Sequence, residues 1–531
     1  MNEGGRRRRV WFWVIALVLF LIAGLGISRF TKRLNAPPAG DITLGAAPAL
    51  DPEERQRMYE ESVQAQPVEL GVLETQLQEE LRATADEVEA LRQEREKMPA
   101  QQRSRIYAGA DAPTGATFRQ QYLEYRMEEL TWYQKNTRDS GKAKELGAAF
   151  LTEYLKSAAS IPGACDNKAL RAMAEKAINA GAADPIVRMF YASVLAHFDE
   201  MESSLKTLRD TKGPILQGTY PAITKYLARI WPYILPAKNR PIGQLQLEPP
   251  VIEAAIGYLE EEAHRENQRI IYGRIEKLLA RADVRGVAAL YEAVLRSKST
   301  DPWIRQMVAG EYCLSKAWSA RGGGWASEVT PEGRRGFEEY LPRAAAHFRR
   351  AWQLHPEYPE AATRMIDIAK AGGDPQWSPQ DWFYEATRAK LDHAAAYSAL
   401  RGALLPRWGG SYEQMLAMAG ECLDTKRWDT YAPCQVVQVF FDIQQESVDP
   451  DKLVSVPGVR PLAKRFAEQL LAATDADSSI PGNMPGMWGY LAAILVRAEE
   501  YALARRILEE HGDDIRQRHL EWAEMKLSTL R

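Results

Sequence analysis

Apolar and polar positions recur along this chain at helical spacing. From about Phe118 onward, Ala-rich amphipathic segments alternate with breakers: Ile161-Pro162-Gly163, Gly181 to Pro185, Lys212-Gly213-Pro214, Pro249-Pro250, Gly372-Gly373-Asp374-Pro375, Val456-Pro457-Gly458 and Ile480-Pro481-Gly482. Apolar residues three and four apart share one helix face, and period-two runs are nearly missing, so the pattern predicts an all-α fold. Helix pairs of this spacing suggest stacked repeats, in which each unit buries its apolar face only against its neighbours. Ala344, Phe348, Ala351 and Pro356 have the spacing of the second helix of a tetratricopeptide repeat. Small residues there let two helices approach, the aromatic fills the gap and proline stops the helix. Trp488, Leu491, Ala492 and Leu495, followed by Tyr501, Ala504 and Leu508, form a second copy, and weaker ones surround Ala172 to Leu208 and Phe383 to Leu400. The expected architecture over residues 103–531 is an αα-superhelix, a tetratricopeptide-like solenoid. An irregular helical bundle with Ala-rich contacts is the competing arrangement.

The first hundred residues follow other patterns. Val10 to Ile27 carries no charge, and as a helix it spans about 27 Å, enough for a bilayer core. Trp11 and Trp13 stand at one edge, Arg6 to Arg9 precede the segment, and Arg29, Lys32 and Arg33 follow it. Residues 10–30 are therefore expected to form a transmembrane helix. The basic tail 1–9 is placed in the cytoplasm and the bulk of the chain on the periplasmic or extracytoplasmic side. A cleaved signal peptide would end its shorter apolar run at a small-x-small site, whereas this run leads into Ser28-Arg29-Phe30. Residues 31–68, rich in Ala, Pro, Gly and acids, read as a flexible linker. Over 69–98, Leu70, Leu73, Leu77, Leu81, Val88 and Leu91 mark one amphipathic helix, able either to oligomerise or to pack on the main body.

Composition narrows the function classes. The chain has 531 residues, 46% hydrophobic and 26% charged, and a net charge of -3. Residues 1–34 hold seven basic side chains against Glu3, a net of +6, which leaves -9 on the rest. An acidic body of this kind lacks the basic footprint that nucleic acid requires. Cys165, Cys313, Cys422 and Cys434 form no C-x-x-C pair. Cys422 and Cys434, which flank one helix–helix connection, are the pair best placed for a disulfide, and four buried free thiols are the alternative.

Candidate chemistry is sparse. The seven histidines make no H-E-x-x-H, and Glu261-x-x-His264 has no second copy, so it reads as a surface pair. Gly409-Gly410-Ser411 is followed by Glu413 where a nucleophile elbow needs glycine. Ser203-x-x-Lys206 lacks its companion motifs, and Ser140-Gly141-Lys142-Ala143 lacks the rest of a phosphate loop. Runs such as Glu260-Glu261-Glu262 read as solvated faces. No catalytic residue, metal ligand or cofactor is assigned.

Two glycine-rich loops interrupt the repeats. Ala317-Trp318-Ser319-Ala320-Arg321 runs into Gly322-Gly323-Gly324-Trp325, with a connection of about ten residues expected before a helix at Phe337. Leu405-Pro406-Arg407-Trp408-Gly409-Gly410-Ser411-Tyr412 joins two further helices. With the helix Ala344 to Pro356 between them, these motifs resemble an uncharacterised bacterial family of tetratricopeptide-like proteins over Trp303 to Cys422. That resemblance implies the fold but no activity. One reading makes Trp318 and Trp408 core residues, Arg321 a partner of helix-end carbonyls and the glycines turn formers. The other has Arg321, Trp325, Arg407, Trp408 and Ser411 converge on one wall of a groove and hold an acidic or aromatic ligand group. The expected function is a membrane-tethered scaffold for a protein or peptide partner in the cell envelope. The alternatives are a cell-envelope enzyme with its site between Arg321–Gly324 and Arg407–Ser411, and a structural oligomer joined through Leu70–Leu91.

Overall fold

A computed structural model of the chain describes residues 111–512, together with 75, 106, 108, 109 and 515, and apart from 238–242, 298, 323–325, 447–449 and 477–484. All of these belong to the compact unit Gln66–Arg531. The expected transmembrane segment, the linker and the Leu70–Leu91 helix fall outside the described residues, save for Thr75. Among the described residues no helix is long and apolar enough to cross a membrane.

The described residues are all-helical. The α-helices are α1 (Gly115–Asn136), α2 (Gly141–Ala158), α3 (Asn167–Asn179), α4 (Pro185–His197), α5 (Met201–Gln217), α6 (Ala222–Ile234), α7 (Pro249–Glu261), α8 (Gln268–Leu279), α9 (Val284–Arg296), α10 (Pro302–Arg321), α11 (Pro331–Leu354), α12 (Pro359–Lys370), α13 (Pro379–Ala389), α14 (Ala394–Ala403), α15 (Tyr412–Asp424), α16 (Gln435–Glu446), α17 (Val459–Ala476), α18 (Pro485–Arg497) and α19 (Tyr501–His511). Many starts are encoded locally. Asp166, Asp184, Asp283, Asp301, Thr330, Ser378 and Ser411 each accept a first-turn backbone N–H with the side chain, relieving the donors that a helix leaves unpaired. Pro185, Pro302, Pro331 and Pro379 follow directly at the first helical position.

Each helix packs chiefly on the next and on the one after, the neighbour-to-neighbour order expected of a helical solenoid. The α10–α11 pair shows the physical basis. Ala317, Ala344, Phe348 and Ala351 are all fully buried, and a methyl group on Gly310 would sit 2.7 Å from Cε1 of Phe348. The aromatic ring therefore occupies the space that glycine leaves open. Beside it, Trp352 meets Trp377 at 5.4 Å and Trp382 at 5.3 Å, nearly edge-on. Asp374 ties this corner together, accepting from Trp382 Nε1 at 2.7 Å and pairing with Arg349 at 3.1 Å.

Helix α1 departs from the sequential order. Followed back from its C-terminal end, its partners climb steadily in sequence. Trp132 donates to Thr219 (3.3 Å), Glu129 accepts from Thr224 (2.7 Å), Tyr125 bonds Tyr258 (2.9 Å) and Gln121 accepts from Asn267 (3.2 Å). At its start, the N–H of Gly115 donates to Asp392 at 2.5 Å. One helix, about 33 Å long, thus touches α6 through α8 and the turn before α14, so the array from α6 to α14 curves around it.

Two local expectations are corrected. Lys212-Gly213-Pro214 does not break the chain: α5 continues through Pro214 to Gln217, because a proline three residues from a helix end removes only one bond of the final turn. The helix expected at Phe337 begins at Pro331, where Thr330 Oγ1 accepts from the N–H of Gly333 at 3.0 Å. Of the two readings of the cysteines the free-thiol one holds, with Cys313, Cys422 and Cys434 buried and Cys165 partly exposed.

Candidate functional site

The two glycine-rich loops meet through their tryptophans. Trp318, near the end of α10, packs edge-on against Trp408 at 6.2 Å and against Phe337 at 5.2 Å. The Lys370 ammonium lies 5.2 Å from the Trp408 ring, and the Arg321 guanidinium 5.6 Å from Trp318. Arg321 also donates to the carbonyl of Gly322 at 3.1 Å. Beside this cluster lies a recess of about 380 Å³, lined among others by Arg321, Arg334, Phe337, Glu338 and Gly372. The remaining expected residues have different settings. Arg407 forms an ion pair with Glu446 on α16, and Ser411 Oγ caps α15 by accepting from Gln414 N–H at 3.2 Å. Gly409 has φ +88°, and any Cβ on Gly410 would collide with the Leu404 carbonyl, so both glycines are required by the turn. Trp325 lies outside the described residues.

A second region assembles around α1 that sequence reasoning did not single out. On α8, Arg269 pairs with Glu360 at 2.6 Å, and across from it Arg364 pairs with Glu311 at 2.5 Å. Desolvation, reinforced by the Glu360 carboxylate, pushes Glu276 up to about 7. Arg274 has no acidic partner among the described residues, and desolvation alone lowers it to about 10. Lys277 is exposed, yet desolvation and the neighbouring Arg274 hold it below the usual lysine range. On α1, the buried Arg126 pairs with the buried Glu129 and donates to Tyr122 at 2.8 Å. The hydroxyl of the fully buried Tyr272 and Oε2 of Glu360 have no hydrogen-bond partner among the described residues.

Along the neighbouring strip of α1 runs a groove. Its larger part, about 530 Å³, is lined by Thr117, Phe118, Gln121, Asn267, Tyr358, Glu385 and Arg388 among others. A part of about 340 Å³ continues it past Glu124, Tyr125, Glu128 and Arg265, sharing Gln121 and Asn267. Phe118 carries the Arg269 guanidinium at 3.6 Å and the Lys390 ammonium at 5.5 Å. The groove thus alternates aromatic surface with charged and amide groups along one helix, a lining that suits an extended ligand. Arg269, Arg274 and Glu276 read in sequence as an ordinary solvated helix stripe. Tertiary packing changes that setting: α1 lays Phe118 against Arg269 and Tyr122 against Arg274, while α10 and α12 bring Glu311, Glu360 and Arg364 towards Glu276.

Among the described residues no group of three or more His, Cys, Asp or Glu is placed to hold a metal ion. Glu261 and His264 are both exposed. No curated protein matches the chain. Residues 291–389 match the model of a family described as Domain of unknown function (DUF4034); this stretch runs from the end of α9 through α13, contains Ala317 to Gly322 and Ala344 to Pro356, and stops before Pro406.

Proposed function

We propose that the chain is a membrane-tethered, tetratricopeptide-like helical scaffold that binds a protein or peptide partner in the cell envelope. Residues 10–30 serve as the anchor and the superhelix stands on the extracytoplasmic side. The supporting observation is the groove along α1, whose two joined parts carry Phe118, Tyr125 and Tyr358 between Gln121, Asn267, Glu124, Glu128, Arg265 and Arg388. Aromatic anchors framed by amide and charged groups are what peptide recognition uses, a few side chains carrying most of the affinity. Tethering confines the module to the membrane surface and raises its effective concentration towards neighbouring membrane partners. The Trp318–Trp408 corner serves in this reading as the brace that joins the two loops.

The test is a photo-crosslinking residue at Glu124, inside the groove, compared with one at Arg335, exposed on α11. The expected result is a discrete adduct from Glu124 alone that disappears when Thr117→Trp fills the groove. Equal labelling at both positions, or none at Glu124, rejects the reading.

A further inference from the structure

Where α8 meets α1 at the Tyr122 ring, positive charge exceeds what the neighbouring acids offset. Arg274 lies with its guanidinium 4.9 Å from the centre of the Tyr122 ring, and Arg126 places its own guanidinium 5.8 Å from the same centre. Lys277 stands one turn beyond Arg274 on α8, where residues three apart share a face. Arg126 is offset by Glu129, but its Nη2 is buried without a hydrogen-bond partner among the described residues. Neither Arg274 nor Lys277 has an ion-pair partner among the described residues. Glu276, the nearest acid on α8, is held towards its neutral form at ordinary pH by burial and by Glu360. Lys277 feels both Arg274 and Arg126 as repulsive neighbours. Uncompensated, partly desolvated cations are costly unless a counter-charge arrives.

We propose that Arg274 and Lys277, with Arg126 behind them across the Tyr122 ring, form a binding site for an anionic group, a carboxylate or a phosphate. Arg274 supplies a planar fork of donors and Lys277 a mobile point charge at the open side. Arg126 is too deeply buried to touch the anion; it adds potential from below, and Tyr122 holds both guanidiniums in place. Resting on the groove reading above, this site recognises an acidic group of whatever the groove holds.

Titration calorimetry on the full-length protein in mild detergent tests it, with inorganic phosphate in one arm and glutarate in the other. Wild type is expected to give saturable heat with at least one of the two anions, the preferred one naming the source. Lys277→Gln, at an exposed position that cannot unfold the chain, is expected to weaken that binding about tenfold. Arg274→Gln/Lys277→Gln is expected to abolish it, while Lys142→Gln, which removes the same charge from an exposed site on α2, leaves it unchanged. No saturable binding of either anion by wild type overturns the proposal, as does equal binding by wild type and Lys277→Gln. Anion binding without a crosslinked partner at Glu124 retires the scaffold reading and keeps the site; a partner without anion binding does the reverse.

Discussion

Replacing Gly310 with valine tests the close approach on which the α10–α11 pair depends. A Cβ built on Gly310 lies 2.7 Å from Cε1 and 2.8 Å from Cδ1 and Cζ of Phe348, whereas carbon atoms in contact sit about 3.5–4.0 Å apart. The ring must retreat by roughly 1 Å, yet Phe348 is fully buried in an interior packed about as densely as an organic crystal. Overpacking of this kind costs about 1–3 kcal/mol, and the two γ-methyls of valine place the change at the upper end. Helix propensity returns only a few tenths of a kcal/mol when valine replaces glycine. The expected net loss is therefore about 2 kcal/mol, read as a lower urea midpoint at unchanged slope in far-UV circular dichroism. Phe348→Ala alone is expected to cost about 3–5 kcal/mol. In the double variant the valine has room, so the two losses fall short of additivity by about 1–2 kcal/mol. A Gly310→Val protein as stable as wild type, or a strictly additive cycle, refutes the packing argument.

Glu276 predicts a pH effect of definite sign. Its folded-state value is raised from the ordinary 4.5 to about 7, so its contribution to stability is full below pH about 4.5 and is lost as the pH rises through about 7. Urea midpoints measured from pH 5 to 8 should fall less steeply in Glu276→Gln than in wild type, and parallel profiles contradict the assignment. His347, buried and lowered to about 4 by desolvation, contributes in the opposite sense, losing stability as the pH falls from about 6.5 through 4, but it does so equally in wild type and variant and cancels in the comparison. Asp374→Ala is expected to cost about 3–5 kcal/mol, because it leaves Arg349 and the Trp382 N–H without the acid that holds them. The near-ultraviolet circular dichroism of the tryptophan corner should weaken with it, and an unchanged spectrum would separate Asp374 from the aromatic packing.

The helical character of the described chain was legible in residue order because it rests on local chemistry. Breakers such as Ile161-Pro162-Gly163 and Gly372 to Pro375 fall between helices as expected, and Ala344, Phe348 and Ala351 lie on the buried face of α11. Where a local signal was weak the reading slipped. Pro214 stays inside α5, and α11 begins at Pro331, six residues before Phe337, since the Thr330 cap and the proline behind it outweighed the first aromatic residue as the start signal. The meeting of Trp318 with Trp408 joins two motifs that were expected to cooperate. Arg407 and Ser411 nonetheless have partners of their own in Glu446 and in the first turn of α15.

What residue order determined by itself is the set of helices, most of their caps and the small-and-aromatic seams that let neighbours approach, all consequences of contacts between residues close in sequence. The tertiary structure alone decided that α1 runs from Thr219 to Asp392 along the array, and with it the groove and the cluster of cations at Tyr122. No periodicity encodes that arrangement: Arg274 and Lys277 look like solvated positions on any helix. Their setting depends on residues about 150 positions earlier in the chain, the Tyr122 ring beside Arg274 and the Arg126 charge acting on Lys277, which only the packing of the whole assembly brings there.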